Sequence, residues 1–169
     1  MSGVIGQDLQ VETGEFGFPA GHVIHTTKLG ATSASGHVTT DSDSLVDIGV
    51  SIDPPVTKSS SNYMRITFSA SGHLYANQGI EMRLYVSYNG GSYAVLGSNL
   101  AHYQKHNEHS VGLYTNFDKT WIDTNTSSLH TGSGATYKIY CNRFGSNSTT
   151  LYVIHNTLPW LFMAEEIQG

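Results

Sequence analysis

Residues 79–89 read GIEMRLYVSYN and are followed at once by GGS at 90–92. Apolar side chains alternate along this stretch with a mainly polar set: Ile80, Met82, Leu84, Val86 and Tyr88 against Glu81, Arg83, Tyr85 and Ser87. This period of two predicts a β-strand with one buried face. Asn-Gly beside alternating residues is a strong hairpin signal. We therefore expect residues 93–96 to form a short strand that pairs with the first.

Similar alternation recurs along the rest of the chain, and turn residues separate the segments. It predicts further strands over residues 45–53, 63–69, 110–116, 121–122, 135–143, 149–155 and 160–167. No segment has a sustained helical period with caps, which argues against βαβ units. Residues 21–169 are therefore predicted to form one all-β domain, an antiparallel, jelly-roll-like β-sandwich of about eight strands.

Residues 1–20 lack any sustained period and are predicted to form an extended N-terminal arm. Glycines and one proline separate isolated apolar side chains, which could anchor the arm on a partner: Val4, Ile5, Leu9, Phe16 and Phe18. Phe16 and Phe18 are the best anchors, because large aromatic side chains dominate interface energies. The alternative is a terminus without a role.

Charge and hydropathy narrow the choice of partners and compartment. Only 12% of the residues are charged, against about 25% in a typical soluble protein. The net charge is -5, and no run of Lys and Arg occurs. Binding to nucleic acid or to an anionic membrane depends on such cations, so neither partner is expected. No signal peptide and no apolar run of about 18 residues is visible, and synthesis in a cytoplasm is expected.

The sequence offers no recognisable catalytic or cofactor motif. GxSxG, HExxH, P-loop and dinucleotide-binding patterns are absent. Two carboxylate pairs occur, Asp41 with Asp43 in a turn-like segment and Glu165 with Glu166 in a predicted strand. The alternation of a strand sends the second pair to opposite faces. No catalytic residue and no cofactor is predicted, and the lone Cys141 is expected to be a buried apolar residue.

A histidine cluster and four aromatic residues are the remaining candidates for a site. On a helix, His102, His106 and His109 would share one face and could hold a metal, although a solvated loop explains the segment equally well. Aromatic side chains near predicted loops could line a ligand-contact surface. These are Tyr75, Tyr103, Tyr114 and Trp121.

The order of segments over residues 20–169 resembles the tail-fibre-like jelly-roll proteins of marine tailed phages, the cyanophage type. The resemblance rests on GHVIHTT at 21–27, TSASGHVTTDSDSLVDIGVSIDP at 32–54 and KSSSNYMRITFSASG at 58–72. It continues through EMRLYVSYNGGS at 81–92, ATYKIYCNRFGSNSTTLYVI at 135–154 and LFMAEEI at 161–167. Two departures are the HNTLPW segment at 155–160 and a short arm without shaft-forming repeats.

The resemblance implies a homotrimeric β-sandwich mounted on the virion and made in the host cytoplasm. The expected function is a non-enzymatic structural protein on the particle surface, either a head decoration or a neck or tail fibre-like component. Its partners would be its own copies and, through the arm, other virion proteins. One alternative is a receptor-binding knob that recognises a host surface glycan. The other is a glycan-active enzyme or its carbohydrate-binding module.

Overall fold

Two antiparallel sheets make up the described part of the chain in the computed structural model, which covers residues 20–31, 37–97, 101–104, 113–146 and 148–169. These residues contain eleven strands and one short helix. The strands are β1 Val23–Ala31, β2 Val38–Thr40, β3 Val46–Ile52, β4 Tyr63–Leu74, β5 Gln78–Tyr88, β6 Ala94–Val95, β7 Ala101–Gln104, β8 Leu113–Asp123, β9 Ala135–Gly145, β10 Leu151–Ile154 and β11 Trp160–Ile167, with helix α1 at Thr126–Leu129.

The first sheet is built around β4. Strand β8 pairs with β4 over residues 64–74, and the other side of β4 is shared by two strands. Strand β11 pairs with residues 63–70 of β4 and carries β1 on its far side, whereas β10 meets β4 at His73 and carries β2. Between these contacts, the backbone N–H of His155 donates to the Ser71 carbonyl oxygen at 2.9 Å, so the chain that leaves β10 also lies along β4.

The second sheet has β9 and β5 at its centre. Strand β3 lies outside β9, and β6 and β7 both pair with the outer edge of β5. Along the chain, β2 to β5 and β7 to β10 pass repeatedly from one sheet to the other, as in a jelly roll. The all-β antiparallel sandwich predicted from the sequence is confirmed.

Strict alternation positions the core. In β4 every second residue is buried from Met64 to Leu74, and the residues between them are half-buried on the outer face. In β5, Leu84 is 0% exposed and Val86 is 3% exposed, as predicted. Tyr137, Ile139 and Cys141 of β9 are fully buried, which confirms the prediction for the cysteine.

Some boundaries differ from the predicted ones. Residues 113–116 of the segment predicted at 110–116 and the segment predicted at 121–122 belong to one long strand, β8; residues 110–112 lie outside the described part of the chain. The short strands β2 and β7 were not predicted, because three or four residues are too few for a period of two to be visible. The predicted arm lies outside the described residues, apart from Ala20.

Candidate functional site

The outer face of the first sheet presents a row of polar side chains from β4 paired with another from β8. In register, Thr67 lies opposite Thr120 and Ser71 opposite Asn116. The two threonine hydroxyl oxygens are 3.1 Å apart, and the Ser71 hydroxyl donates to Asn116 Oδ1 at 2.7 Å. Such cross-strand hydrogen bonds hold the side chains in fixed positions. We call residues 67, 69, 71, 116, 118 and 120 the hydroxyl-amide ladder.

A cavity opens beside this ladder, where the chain enters β11. The segment between these two strands contains Pro159, which has no N–H to donate to a sheet. Strand pairing of β4 with β11 begins only at Ala70 and Trp160. The resulting cavity has a volume of about 300 Å³ and is lined by seven residues: Ser69, Ser71, Asn116, Asp118, Pro159, Trp160 and Leu161.

A cluster of aromatic rings lies on the same face, beyond the Ser71–Asn116 end of the ladder. Six side chains from four strands and the residues next to them contact one another; we call them the ring cluster: His37, His73, Tyr75, Tyr114, Tyr152 and His155. Ring centroids of His37 and His155 are 4.5 Å apart, and those of His73 and Tyr114 are 5.1 Å apart. Tyr114 is 59% exposed, so the cluster reaches the surface.

The environment of His155 favours its neutral form. Burial lowers the pKa of this imidazole below its ordinary value, and the neighbouring His37 and His73 lower it further. Its Nδ1 lies 2.9 Å from Thr157 Oγ1. The ring contacts in the cluster are edge-on or tilted. Within the described residues, no group of three or more His, Cys, Asp or Glu side chains is placed to hold a metal ion.

The structure brings together two of the four predicted contact aromatics. Tyr75 and Tyr114 both contact His73 in the ring cluster. The placement of Trp121 on a contact surface is wrong: it lies in β8 with its ring in the core and is 4% exposed. Its register partner in β4 is Ile66, a core residue, which sets the direction of the ring. Tyr103 lies on β7 in the second sheet, opposite Ile80 of β5.

Among the three histidine candidates, only His102 lies in the described part of the chain, and it is not in a helix. His102 lies in strand β7, opposite Glu81 of β5. His106 and His109 lie outside the described residues, as do the predicted arm anchors: Val4, Ile5, Leu9, Phe16 and Phe18.

Three of the four carboxylates in the two pairs have structural partners: Asp43, Glu165 and Glu166. Asp43 accepts hydrogen bonds from the guanidinium of Arg143, the shorter at 2.8 Å, while Asp41 is exposed. Glu165 forms an ion pair with Arg65 at 2.8 Å on the outer face. Glu166 points inward, as alternation predicted, and is 0% exposed.

The interior carboxylate of Glu166 holds a loop. Its Oε1 accepts hydrogen bonds from the backbone N–H of Lys58 and from the Asn62 amide, the latter at 2.6 Å. Its Oε2 is buried without a hydrogen-bond partner in the described part of the chain. The loop of residues 54–62 is therefore tied to the last strand, and Glu166 is a positioning group inside the fold.

Sequence reasoning missed the cavity and the histidines of the ring cluster. A signal existed for part of it, because a period of two along β4 places Ser69, Ser71 and His73 on one face. No local pattern in the sequence indicated that β10 and β2 join the same sheet as β4. Sequence comparison adds no relative: no family model and no curated protein matches the chain. No described helix is long and apolar enough to cross a membrane.

Proposed function

We propose that this chain is a non-enzymatic structural protein of a tailed-phage virion, displayed on the particle surface and attached through its N-terminal arm. It serves as a head decoration or as a neck or tail fibre-like component and assembles as a homotrimer. The resemblance over residues 20–169 supports the virion assignment. The antiparallel sandwich fits the jelly-roll architecture that the resemblance implies.

The observation that carries a contact role is the outer face of the first sheet. Its side chains are mainly hydroxyls, amides and aromatic rings, held in place by cross-strand hydrogen bonds and ring contacts. Aromatic groups of this kind are enriched in interfaces. The carboxylates weighed for hydrolysis are exposed, ion-paired or bound to a loop, which favours binding over catalysis.

Deletion of residues 2–18 tests attachment through the arm. An ordered arm would need contacts with a partner, because fixing the backbone of each residue costs roughly 1–2 kcal/mol of conformational entropy. We expect the truncated protein to melt at nearly the temperature of the full chain and to fail to load onto particles. Loading is measured by quantitative protein staining of purified virions.

A paired substitution isolates the proposed anchors. Replacing Phe16 and Phe18 together by Ala should reduce loading, whereas replacing Gln10 and Glu12 together by Ala should leave it unchanged. Full occupancy of particles by the truncated protein would show that attachment runs through the β domain.

A second candidate, a receptor-binding knob that recognises a host surface glycan, is favoured by the exposed ring cluster. Flat amphipathic rings beside hydrogen-bonding groups suit the alternately apolar and hydroxylated faces of sugars. This candidate predicts that the isolated protein binds host cells. Tyr114→Ala should weaken that binding, whereas Tyr93→Ala, at an exposed position on the β5–β6 connection, should not. A protein that leaves cells unlabelled at micromolar concentration would contradict the receptor role.

A further inference from the structure

We propose that the histidines of the ring cluster form an acid-sensitive latch: when neutral they hold the turn between β10 and β11 closed, and when protonated they release it. We call residues 155–158 the β10–β11 turn. The inference goes beyond the proposed function and does not depend on a virion or receptor role. It is carried by the backbone hydrogen bonds that two imidazole nitrogens accept from this turn.

The two accepting nitrogens belong to His37 and His155. The N–H of Asn156 donates to His37 Nδ1 at 3.3 Å, and the N–H of Thr157 donates to His155 Nδ1 at 3.4 Å. The Thr157 hydroxyl lies 2.9 Å from the same nitrogen of His155. An imidazole nitrogen accepts a hydrogen bond only when it carries no proton, and in the cationic form both ring nitrogens carry one. Protonation of either ring therefore removes its hydrogen bond with the turn.

The closed turn connects three strands of the first sheet. The N–H of Leu158 donates to the His155 carbonyl oxygen within the turn, and the N–H of His155 donates to the Ser71 carbonyl oxygen of β4 at 2.9 Å. His37 comes directly before β2, whose pairing with β10 reaches Val38. The three residues that follow the turn line the cavity beside the hydroxyl-amide ladder: Pro159, Trp160 and Leu161. Opening of the turn therefore changes both the ring cluster and the cavity.

Repulsion between the histidines adds to the loss of hydrogen bonds. The ring centroids of His37 and His155 are 4.5 Å apart, and His73 lies in the same cluster through Tyr114 and Tyr152. The face of a tyrosine ring can stabilise one imidazolium, but a second imidazolium in the cluster meets the charge of the first. Burial already lowers the pKa of His155, and the two neighbouring histidines lower it further. Acid therefore acts on the cluster as a unit.

The other titratable groups of the cluster are tyrosine hydroxyls, which are neutral between pH 5 and pH 8. Charged side chains come farther along the strands that pack here: Asp41 after β2, Arg65 of β4, Asp118 of β8 and Glu165 of β11. Each of the two aspartates is four residues from a cluster residue, about 13 Å of strand, and Arg65 is paired with Glu165. Within the ring cluster itself, the charge that appears on acidification is that of the histidines.

The direction of the pH dependence follows from the proton count of the two forms. An open turn leaves the rings free to take up protons near the ordinary histidine value of about 6.5, whereas the closed turn needs Nδ1 without a proton. The closed form therefore binds fewer protons, and it loses stability as pH falls below about 6.5. Between pH 7.5 and 5.5, each histidine that must be neutral favours opening by about tenfold, because at pH 5.5 the open form holds about ten protonated rings for each neutral one.

The first measurement determines which ring nitrogens carry a proton at pH 7.5, by long-range proton–nitrogen NMR of the full-length chain. We expect Nδ1 of His37 and of His155 to carry none. His130 is the internal reference: its Nδ1 lies 2.7 Å from the Thr57 carbonyl oxygen, which can only accept, so this nitrogen should carry a proton. A proton on Nδ1 of His37 or His155 at this pH would overturn the proposal.

The second measurement follows amide hydrogen exchange of the full-length chain at pH 7.5 and pH 5.5. Relative to its intrinsic rate, exchange of the His155 amide, which donates to Ser71, should become faster by about tenfold or more. The Asn89 amide of the second sheet donates to the Gly134 carbonyl oxygen and should keep its protection. Unchanged protection at His155, or equal loss at Asn89, which marks unfolding of the whole domain, would each contradict a local latch.

A double variant, His37→Asn with His155→Asn, removes the titration and keeps an acceptor. The amide oxygen of asparagine takes a place close to that of Nδ1 and gains no proton in this pH range. The amide of residue 155 should then stay protected at pH 5.5, whereas His130→Asn, outside the cluster, should open like the parent chain. Thermal melting at pH 7.5 checks that both variants are folded. If the double variant opens at pH 5.5 as the parent does, the histidines are not the latch.

Discussion

Asp123 is a buried carboxylate at the end of β8 that joins the two sheets. It is 1% exposed and accepts hydrogen bonds from the hydroxyls of Tyr88 and Tyr137, the latter at 2.8 Å. The backbone N–H of Asn125 donates to it as well. Both tyrosines belong to the second sheet, so the Asp123 side chain of the first sheet links the two sheets through these hydrogen bonds. Burial costs for a charge are offset only by such a set of donors.

This arrangement predicts a loss of stability at high pH. Burial raises the pKa of both tyrosines above the ordinary value near 10, and the charge of Asp123 raises it further. Below about pH 10 the hydroxyls are protonated in the folded and the unfolded chain. Above that pH the unfolded chain releases these protons first, so the free energy of unfolding falls as pH rises.

Tyr137→Phe tests this dependence through urea unfolding at pH 7 and pH 10.5. At pH 7 the variant should be less stable by about 0.5–3 kcal/mol, because one buried hydrogen bond to a carboxylate is lost. Its further loss at pH 10.5 should be smaller than that of the parent chain. Tyr63→Phe, at a half-buried position on the outer face, serves as the control. Equal losses at pH 10.5 in the parent chain and Tyr137→Phe would contradict the explanation.

Leu84 provides a second prediction at the residue scale. It is 0% exposed, and Leu84→Ala should lower the free energy of unfolding by about 2–5 kcal/mol. Val95, in the partner strand of the same hairpin, is 43% exposed, and Val95→Ala should change it by no more than about 0.5 kcal/mol. Urea denaturation gives both values. Similar small changes in the two variants would show that the wrong face of β5 is assigned to the core.

At the scale of elements, the hairpin after β5 closes as the Asn-Gly signal indicated. Asn89 and Gly90 both have positive φ, 52° and 71°, and the N–H of Gly91 donates to the Tyr88 carbonyl oxygen. These are features of a type I′ turn. Ser87 differs from the expectation for the polar face: it is 3% exposed, and its hydroxyl donates to the Gly91 carbonyl oxygen at 2.6 Å. Replacement of Ser87 by Ala therefore removes a buried hydrogen bond and is not neutral.

Gly72 allows β10 to approach β4. A Cβ atom at this position would lie 2.1 Å from the Tyr152 carbonyl oxygen and 2.3 Å from the Phe117 ring. Gly72→Ala should destabilise the fold by about 1–3 kcal/mol, because backbone must shift to relieve the overlap. Gly49→Ala is a useful comparison, since Gly49 has positive φ but open space around it. Thermal melting of the two variants compares the cost of the overlap at Gly72 with the cost of the positive φ at Gly49.

A heteronuclear NMR spectrum of Gly72→Ala adds a local readout. Shift changes should concentrate at the ring cluster and the cavity, because β10 carries Tyr152 and leads to His155. Changes spread evenly over both sheets would contradict a local displacement of β10.

At the scale of the whole molecule, the two outer faces differ in chemistry. The second sheet carries charged pairs, Arg83 with Glu81 at 2.6 Å and Lys138 with Asp47 at 2.7 Å. These pairs are partly exposed and contribute little to stability, but they keep that face hydrated. The first sheet carries one such pair, Arg65 with Glu165, and its outer face otherwise presents mainly hydroxyls, rings and the exposed Ile122. The first sheet therefore has the surface better suited to contacts.

The proposed homotrimer predicts a specific mass in solution. Light scattering on the full-length chain at micromolar concentration should give the mass of three chains, because a closed cyclic assembly hides apolar surface. Raising the salt concentration should leave that mass unchanged if apolar and aromatic contacts dominate the interface. A monomer mass under these conditions, with the arm intact, would exclude the trimer.

The sequence alone determined the class of fold and the direction of most side chains. Period-two alternation in β4, β5 and β9 identified the buried faces, and Asn89-Gly90 identified the hairpin. Alternation also placed Glu165 and Glu166 on opposite faces. These inferences hold because the pleat of a strand and the steric demands of a turn are local properties, encoded within a few residues.

Only the tertiary structure decided the site and the internal links. Trp121 and Ile122 are adjacent apolar residues, so their alternation is ambiguous; the register with β4 directs Trp121 inward and leaves Ile122 exposed. A shift of one residue would reverse them. The ring cluster joins His37 to His155, and the cavity joins Ser71 to Trp160. Such contacts depend on which distant strands pair, and this is set by the packing of the whole core and not by any local pattern.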